Sequence, residues 1–397
     1  MKNSDATGPL KGLKILDMSR ILAGPYATQL LGDMGADVIK VERPVVGDDT
    51  RSWGPPYVTT ADGEATRESA YYMCTNRNKR SIAVDMANPD GAEILRKLAK
   101  KADVVIQNFK AGGLTKYGLD YATLSALNPS LVYCSISGFG QTGPNAHRAG
   151  YDLLAQGAGG IMSLTGDPEG VPTKVGVGIA DIMCGMYASN AILAALRHVD
   201  ATGEGQHIDI ALADTQVAWL ANEGVNYLLS GKAPKRRGNQ HPNIVPYQVF
   251  ECADGHAIVA VGNDAQFARF AVLIGLPELA ADARVIQNSA RLENREVLIA
   301  LLEAQIKGIS KATLVADMEG QGVPGGEINT VPEVFASEQV AARDMKISMP
   351  HPLAASGHVD LIGNPIKFSE TPVNYRQPPP LCGEHTDEVL AEWLKED

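Results

Sequence analysis

The sequence predicts an α/β protein with a mostly parallel sheet, followed by a separate α+β insert. Three observations carry this expectation. Short β-like runs alternate with helical ones over the first two hundred residues. The alternation lapses at a polar, punctuated stretch, Gly231–Asn239, and a hairpin signal follows it. With 397 residues and 45% hydrophobic content, the chain can also bury more than one core.

Lys14–Met18 reads as the first strand, with a helix over Pro25–Leu31 after Gly24 and a second strand over Asp37–Val41. Ser81–Asp85 reads as a third strand, and Pro89–Lys101 as an amphipathic helix. Asp103–Gln107, Leu131–Ile136 and Gly205–Ile210 continue the strand series, and Ala211–Leu229 reads as a helix. Such alternation implies right-handed βαβ units, with ligands bound beyond the carboxyl ends of the strands. In the insert, Tyr247–Cys252 and His256–Val261 flank Ala253-Asp254-Gly255, a hairpin turn. Helices are expected near Asp264–Leu273, Ser289–Lys307 and Lys311–Glu319. The proline-rich tail closes with a helix near His385–Leu394.

The net charge of -11 argues against nucleic acid and anionic membranes as partners. Five scattered cysteines form no Cys-x-x-Cys pair, which points away from disulfides and a metal site and towards a reducing cytoplasm. No secretory signal is read at the N-terminus. Val175–Leu196 is apolar enough to suggest a membrane span, but Asp181 interrupts it, so a buried helix is expected.

Asp181 sits where a glycine-studded approach, Val175–Ala180, meets that helix. An aspartate there serves as an N-cap, one of the commonest uses of the residue. The same geometry holds a carboxylate ionised and aimed at a cleft, as a carboxylate nucleophile requires. Position alone does not separate the two. Gly138-Phe139-Gly140-Gln141-Thr142-Gly143 spells a dinucleotide-binding pattern, but Pro144 and a polar run follow where a helix should begin.

Several short motifs stand along the chain in a set order: Ala23-Gly24-Pro25, Gly35–Arg43, Asn78–Ile82, Gln107-Asn108-Phe109, Gly150-Tyr151-Asp152 with Gln156, Asp181 with Gly185, and Gly383–Leu390. In order and spacing the chain resembles the class III CoA-transferases, a family of formyl-CoA, carnitine and dicarboxylate CoA-transferases with α-methylacyl-CoA racemases as cousins. The resemblance implies a doubly wound, Rossmann-like large domain built from both chain ends and a smaller α+β domain inserted between. Residues 1–205 would begin the large domain, 206–230 link it, 231–325 form the small domain, and 326–397 return. It implies an interlocked homodimer and CoA or acyl-CoA as substrate, with no permanently bound cofactor.

The family mechanism places Asp181 as the residue that forms an acyl anhydride and then an aspartyl–CoA thioester. Arg43, Asn108, Phe109 and Lys116 fall where the family contacts CoA, and Arg20 and Tyr151 are counted with them as CoA-binding residues. Lys79-Arg80 reads as a surface charge run, Asp264 as a helix cap, and His241 as structural or surface. Tyr151 replaces the histidine of the racemases, and tyrosine is a poor base near neutral pH. A racemase acting on 2-methylacyl-CoA is therefore the lesser alternative, beside formyl-CoA:oxalate transfer. Gly238-Asn239-Gln240-His241 replaces a run of glycines that forms a mobile loop in the formyl-CoA branch. Small carboxylic acids are the implied partners, with a dicarboxylyl-CoA such as succinyl-CoA as donor. Arg20, Arg51 and Arg77 are candidates to hold a distal carboxylate.

Overall fold

The computed structural model describes residues 7–395 and divides into two compact units. The first takes in the chain up to Ile161, Lys174–Ala221 and Glu338 onward. Its centre is one sheet of six strands, β1 (Lys14–Asp17), β2 (Asp37–Glu42), β3 (Lys79–Ala83), β4 (Val104–Gln107), β5 (Val132–Ser137) and β6 (Gln206–Ala211). They run in the order β3-β2-β1-β4-β5-β6, and every neighbouring pair is parallel. The order reverses between β1 and β4, the place where such sheets open a crevice for ligands.

Alternating side chains feed two cores. Ile15, Val38, Val104, Ile106 and Ile136 face one side, against α1 (Ala23–Asp33) and, after α2 (Asp152–Ala158), the long helix α3 (Ile179–Thr202). Leu16, Ile39, Ile82, Val105 and Tyr133 face the other, against the Pro89–Lys101 helix and the C-terminal Thr386–Trp393 helix. All six residues of β2 and of β5 are buried, as expected of strands covered on both faces. Helix α3 is long and apolar enough to cross a membrane. Its Ala180, Cys184, Ala188, Ile192 and Ala195 pack into the sheet core.

Several expectations need correction here. The third strand starts at Lys79, not Ser81, and Lys79 and Arg80 are buried rather than on the surface. Lys79 Nζ donates to Pro25 O, Asn76 Oδ1 and Asp17 Oδ2 at 2.8, 3.0 and 3.3 Å. Arg80 pairs with Asp37, Glu388 and Glu392. The expected helix over Ala211–Leu229 is two helices, Leu212–Ala218 and Ala221–Ser230, broken where Ala221 takes a φ of 43°. The segment expected as a linker thus supplies the edge strand β6 and these two helices.

The second unit comprises Met162–Thr173 and Asn222–Ser337. Tyr247–Cys252, Gly255–Ala260 and Gly325–Glu327 make an antiparallel three-stranded sheet. Helices Asp264–Leu273, Arg295–Ile306 and Lys311–Gly320 bury Phe267, Phe270, Leu302 and Leu314 against it. The Asp264 helix is capped by Asn263, which accepts from Gln266 N–H at 2.9 Å. Asp264 instead binds Arg291 at 2.7 Å.

Helices α1 and α3 cross closely because the contact is built from small residues. A Cβ on Gly185 would stand 2.5 Å from the Ala23 carbonyl oxygen. That crossing sets the height of Asp181, one turn earlier on α3. Gly185→Val is expected to destabilise the protein by about 1–3 kcal/mol or more through overpacking. Urea unfolding reads the shift, and an unchanged midpoint would show that the helices have room to spare.

Candidate active site

The crevice at the switch point is built from the segment after β1 and the one after β4. They are stitched together by reciprocal bonds: Arg20 N–H donates to Asn108 Oδ1 at 2.9 Å, and Asn108 Nδ2 donates to Arg20 O at 2.6 Å. Ile21 is held with φ at 74°, a conformation costly for a β-branched residue, and turns the chain into α1. The Arg20 guanidinium lies 5.6 Å from the Phe109 ring centre and pairs with Asp49.

Asp181 lines a cavity of about 220 Å³ together with Arg20, Asn108, Phe109 and Tyr151. A second cavity, of about 330 Å³, is lined by Arg20, Phe109, Arg43 and Lys116 over the apolar Met18, Val41 and Val84. Arg20 and Phe109 are walls of both. Arg43 is half exposed and shares Asp49 with Arg20, at 3.0 Å. The Lys116 ammonium rests 4.7 Å from the Tyr117 ring centre. The structure therefore brings all seven expected site residues to two adjoining cavities, with Arg43 and Lys116 away from Asp181's own.

Asp181 is not the cap of its helix. Helix α3 begins at Ile179, so Asp181 is its third residue, and Gly178 at the N-cap has no side chain to offer. The cap comes from α2: Asp152 Oδ1 accepts the N–H groups of Ala180 and Asp181 at 2.8 and 3.3 Å. Gln156 holds Asp152 Oδ2 at 2.7 Å and accepts from Val175 N–H at 2.9 Å, tying the glycine-rich approach down. The first-turn donors of α3 are thereby occupied, and the Asp181 carboxylate is spared the capping task.

That carboxylate is only 9% exposed. Burial, and then the negative charge of Asp152, push its pKa up to about 7. A poorly solvated carboxylate with no bound cation beside it is a stronger nucleophile than one in water. Among the described residues that line its cavity there is no histidine, the residue type that the racemases place opposite their aspartate.

In the second unit, His241 is tied down within its own fold. Its ring packs 5.2 Å from that of Tyr247, Nδ1 accepts from Asn243 N–H at 3.1 Å, and its carbonyl accepts from Arg295. Gly238, with φ at 58°, is the one position of that loop that requires glycine.

The sequence pattern described as CoA-transferase family III matches residues 10–386. A succinate–glutarate CoA-transferase of Agrobacterium fabrum is 51% identical over 97% of this chain and 95% of its own. The human succinyl-CoA:glutarate CoA-transferase is 43% identical over 98% of this chain and 87% of its own. Among solved structures, a CAIB/BAIF family protein from Brucella suis superposes with a TM-score of 0.85 at 51% identity, covering 98% of this chain and 100% of that one.

Raising a carboxyl pKa on folding from 3.8 to about 7 carries a stability signature. The favourable contribution is complete below pH 3.8 and is lost as pH rises through about 7, because ionisation then costs more in the folded state. Asp181→Asn cannot ionise and is expected to gain on the order of a few kcal/mol at pH 8. A higher urea midpoint at that pH reads it, and an unchanged one argues against a desolvated carboxylate. Turnover that needs the anion should rise through pH about 7. Asp152→Asn keeps a capping oxygen but removes the charge, and should move that inflection down.

Proposed function

The chain belongs to CoA-transferase family III, and from that membership we propose that it moves CoA from a dicarboxylyl-CoA, with succinyl-CoA as donor, to a free dicarboxylic acid such as glutarate. Asp181 is the nucleophile. The observation that carries this reading is a buried carboxylate, without an ion-pair partner among the described residues, at the wall of one cavity, joined through Arg20 and Phe109 to a second cavity rimmed by Arg43 and Lys116. The relatives named for succinate and glutarate support the substrate class.

In the proposed route an Asp181 oxygen attacks the thioester carbonyl. The C–S bond breaks with its electron pair on sulfur, giving a mixed anhydride and CoA thiolate. The thiolate attacks the aspartyl carbonyl and expels the donor acid, leaving an aspartyl–CoA thioester. The acceptor carboxylate attacks that thioester, and the released thiolate takes the acceptor acyl group, restoring Asp181. No bond is made to water and no outside energy source is needed, because a thioester and a carboxylate stand on both sides. CoA supplies the sulfur as substrate. Arg43 and Lys116 are placed to meet its phosphates as charge-assisted donors, and Phe109 to pack against its apolar parts. Asn108 holds the Arg20 backbone at the passage between the cavities, and Tyr151 stands at the reacting end.

A cytoplasmic interlocked homodimer, with the small domain inserted into the large one, completes the reading. Leu228 and Leu229, 79% and 84% exposed, support a covering second copy, and five free cysteines suit a reducing compartment.

Succinyl-CoA is expected to yield glutaryl-CoA and an equal amount of succinate when mixed with glutarate, with no net CoA released, as read by mass spectrometry. Itaconate, mesaconate, malate, oxalate, formate and carnitine complete the acceptor panel. Asp181→Asn should lower turnover at least about a thousandfold while retaining the fold and CoA binding. Near-normal transfer by this variant would remove Asp181 from the mechanism.

A further inference from the structure

Three arginines were candidates to hold the far carboxylate of a diacid, and each is already engaged. Arg51 is buried between Glu42 and Glu68, Arg77 is buried against Asp33, and Arg20 pairs with Asp49. Two other cations line the Asp181 cavity, Lys110 and Arg148. Neither forms an ion pair among the described residues, and the one side-chain hydrogen bond of the Arg148 guanidinium is long, 3.4 Å to Asn145 Oδ1.

Arg148 rides on the loop 138–150, the glycine-rich run that mimics a nucleotide motif. The structure gives those glycines a different use. A Cβ on Gly150 would lie 2.1 Å from Gly138 Cα, and one on Gly138 would lie 2.3 Å from Gly150 Cα, so the ends of the loop are pinched backbone to backbone. The outgoing limb is pinned by Gly140 N–H to Ser137 Oγ at 3.0 Å and Gln141 N–H to Asp209 Oδ2 at 2.9 Å. On the returning limb, the Arg148 guanidinium lies 4.8 Å from the Phe139 ring centre, so one limb props the cation carried by the other.

We propose that Arg148 binds the carboxylate at the far end of the diacid whose near end reacts at Asp181. This rests on the CoA-transfer reading and names the group that selects the substrate. A short diacid brings a second negative charge into a space that already holds Asp181, with Asp152 behind it. A cation without an ion-pair partner on a loop that lines the same cavity offsets that repulsion. The planar guanidinium can donate two parallel bonds to a carboxylate, which the ammonium of Lys110 cannot. The cavity, about 220 Å³, is small beside the ~300–1,000 Å³ of sites for larger ligands, and matches a short acid.

The test is a competition in one vessel. Succinyl-CoA is given with equal glutarate and butyrate, and the ratio of glutaryl-CoA to butyryl-CoA is read by mass spectrometry. Because both acceptors meet the same enzyme and donor, the ratio reports acceptor selection alone. Arg148→Gln is expected to collapse the wild-type preference for glutarate about tenfold to a hundredfold, and Arg148→Lys to restore part of it. An unchanged ratio overturns the assignment even if total turnover falls, since a merely structural role slows both products alike. Collapse in Lys110→Gln with Arg148→Gln unaffected also overturns it. A wild-type protein that forms neither product overturns the transfer reading itself.

Discussion

A buried charge network beneath the carboxyl end of β1 is the constraint on which the site depends. Lys40, wholly buried, gives its ammonium to Asp48 at 2.8 Å and to the Ser19 carbonyl at 3.2 Å. Asp48 in turn accepts the Ile21 N–H at 3.2 Å and the Thr50 N–H at 2.9 Å. On the other side Asp17 accepts the Ser19 N–H at 2.9 Å, the Thr28 hydroxyl at 2.6 Å and Lys79 at 3.3 Å. The segment Ser19–Leu22 is clamped from both ends, which explains how Ile21 is held in a left-handed conformation. Buried ion pairs add little stability over an apolar core, but losing one partner leaves a stranded charge at a cost of about 3–5 kcal/mol. The network therefore earns its place by fixing a backbone path.

Both halves of the site hang from that path. Asp49, next to the buried Asp48, is the shared partner of Arg20 and Arg43, so two of the three cations bordering the larger cavity are positioned by the neighbour of the anchor. In the other direction α1 starts at Ala23, directly after the clamped segment, and its first turn is what Gly185 of α3 packs against. Asp181 lies one turn earlier on α3, and its height over the crevice follows from that crossing. Asp152 completes the arrangement by taking the helix N–H groups that Asp181 would otherwise satisfy. One carboxylate is solvated by the backbone so that its neighbour is left without such bonds.

The parallel sheet was legible because its strands are short apolar runs bounded by turns, a pattern that local sequence carries by itself. The boundary of β3 was not, because Lys79 and Arg80 look like surface and are in fact neutralised by residues as distant in sequence as Asp17 and Glu392. Asp152 stood within one of the motifs, but nothing local to position 181 says that an oxygen 29 residues earlier caps its helix. Asp181, Asn108 and Phe109 stood out because they fall within short motifs whose order and spacing resemble the family's. Arg148 did not, although it sits two residues before Gly150-Tyr151-Asp152. Its significance depends on the acid partners that Arg20, Arg51 and Arg77 have and it lacks, and pairing is visible only in three dimensions.

An aspartate with a pKa near 7 is a curious nucleophile, since about half of it is protonated at neutral pH. The raised basicity has a use in the proposed route. A mixed anhydride between Asp181 and a substrate acid has two carbonyls for the CoA thiolate to attack, and the outcome depends on which carboxylate leaves more readily. Attack at the substrate carbonyl expels Asp181 and merely reverses the first step. Attack at the aspartyl carbonyl expels the substrate acid and goes forward. Ordinary carboxylates have pKa values near 4, so the substrate acid is the better leaving group wherever Asp181 is held more basic than it. Burial beside Asp152 therefore does more than sharpen the first attack: it tilts the anhydride towards the aspartyl–CoA thioester. The cost is borne by the fraction of Asp181 that is ionised and by the stability of the folded chain, and both follow from the burial of that carboxylate and, after it, from the negative charge of Asp152.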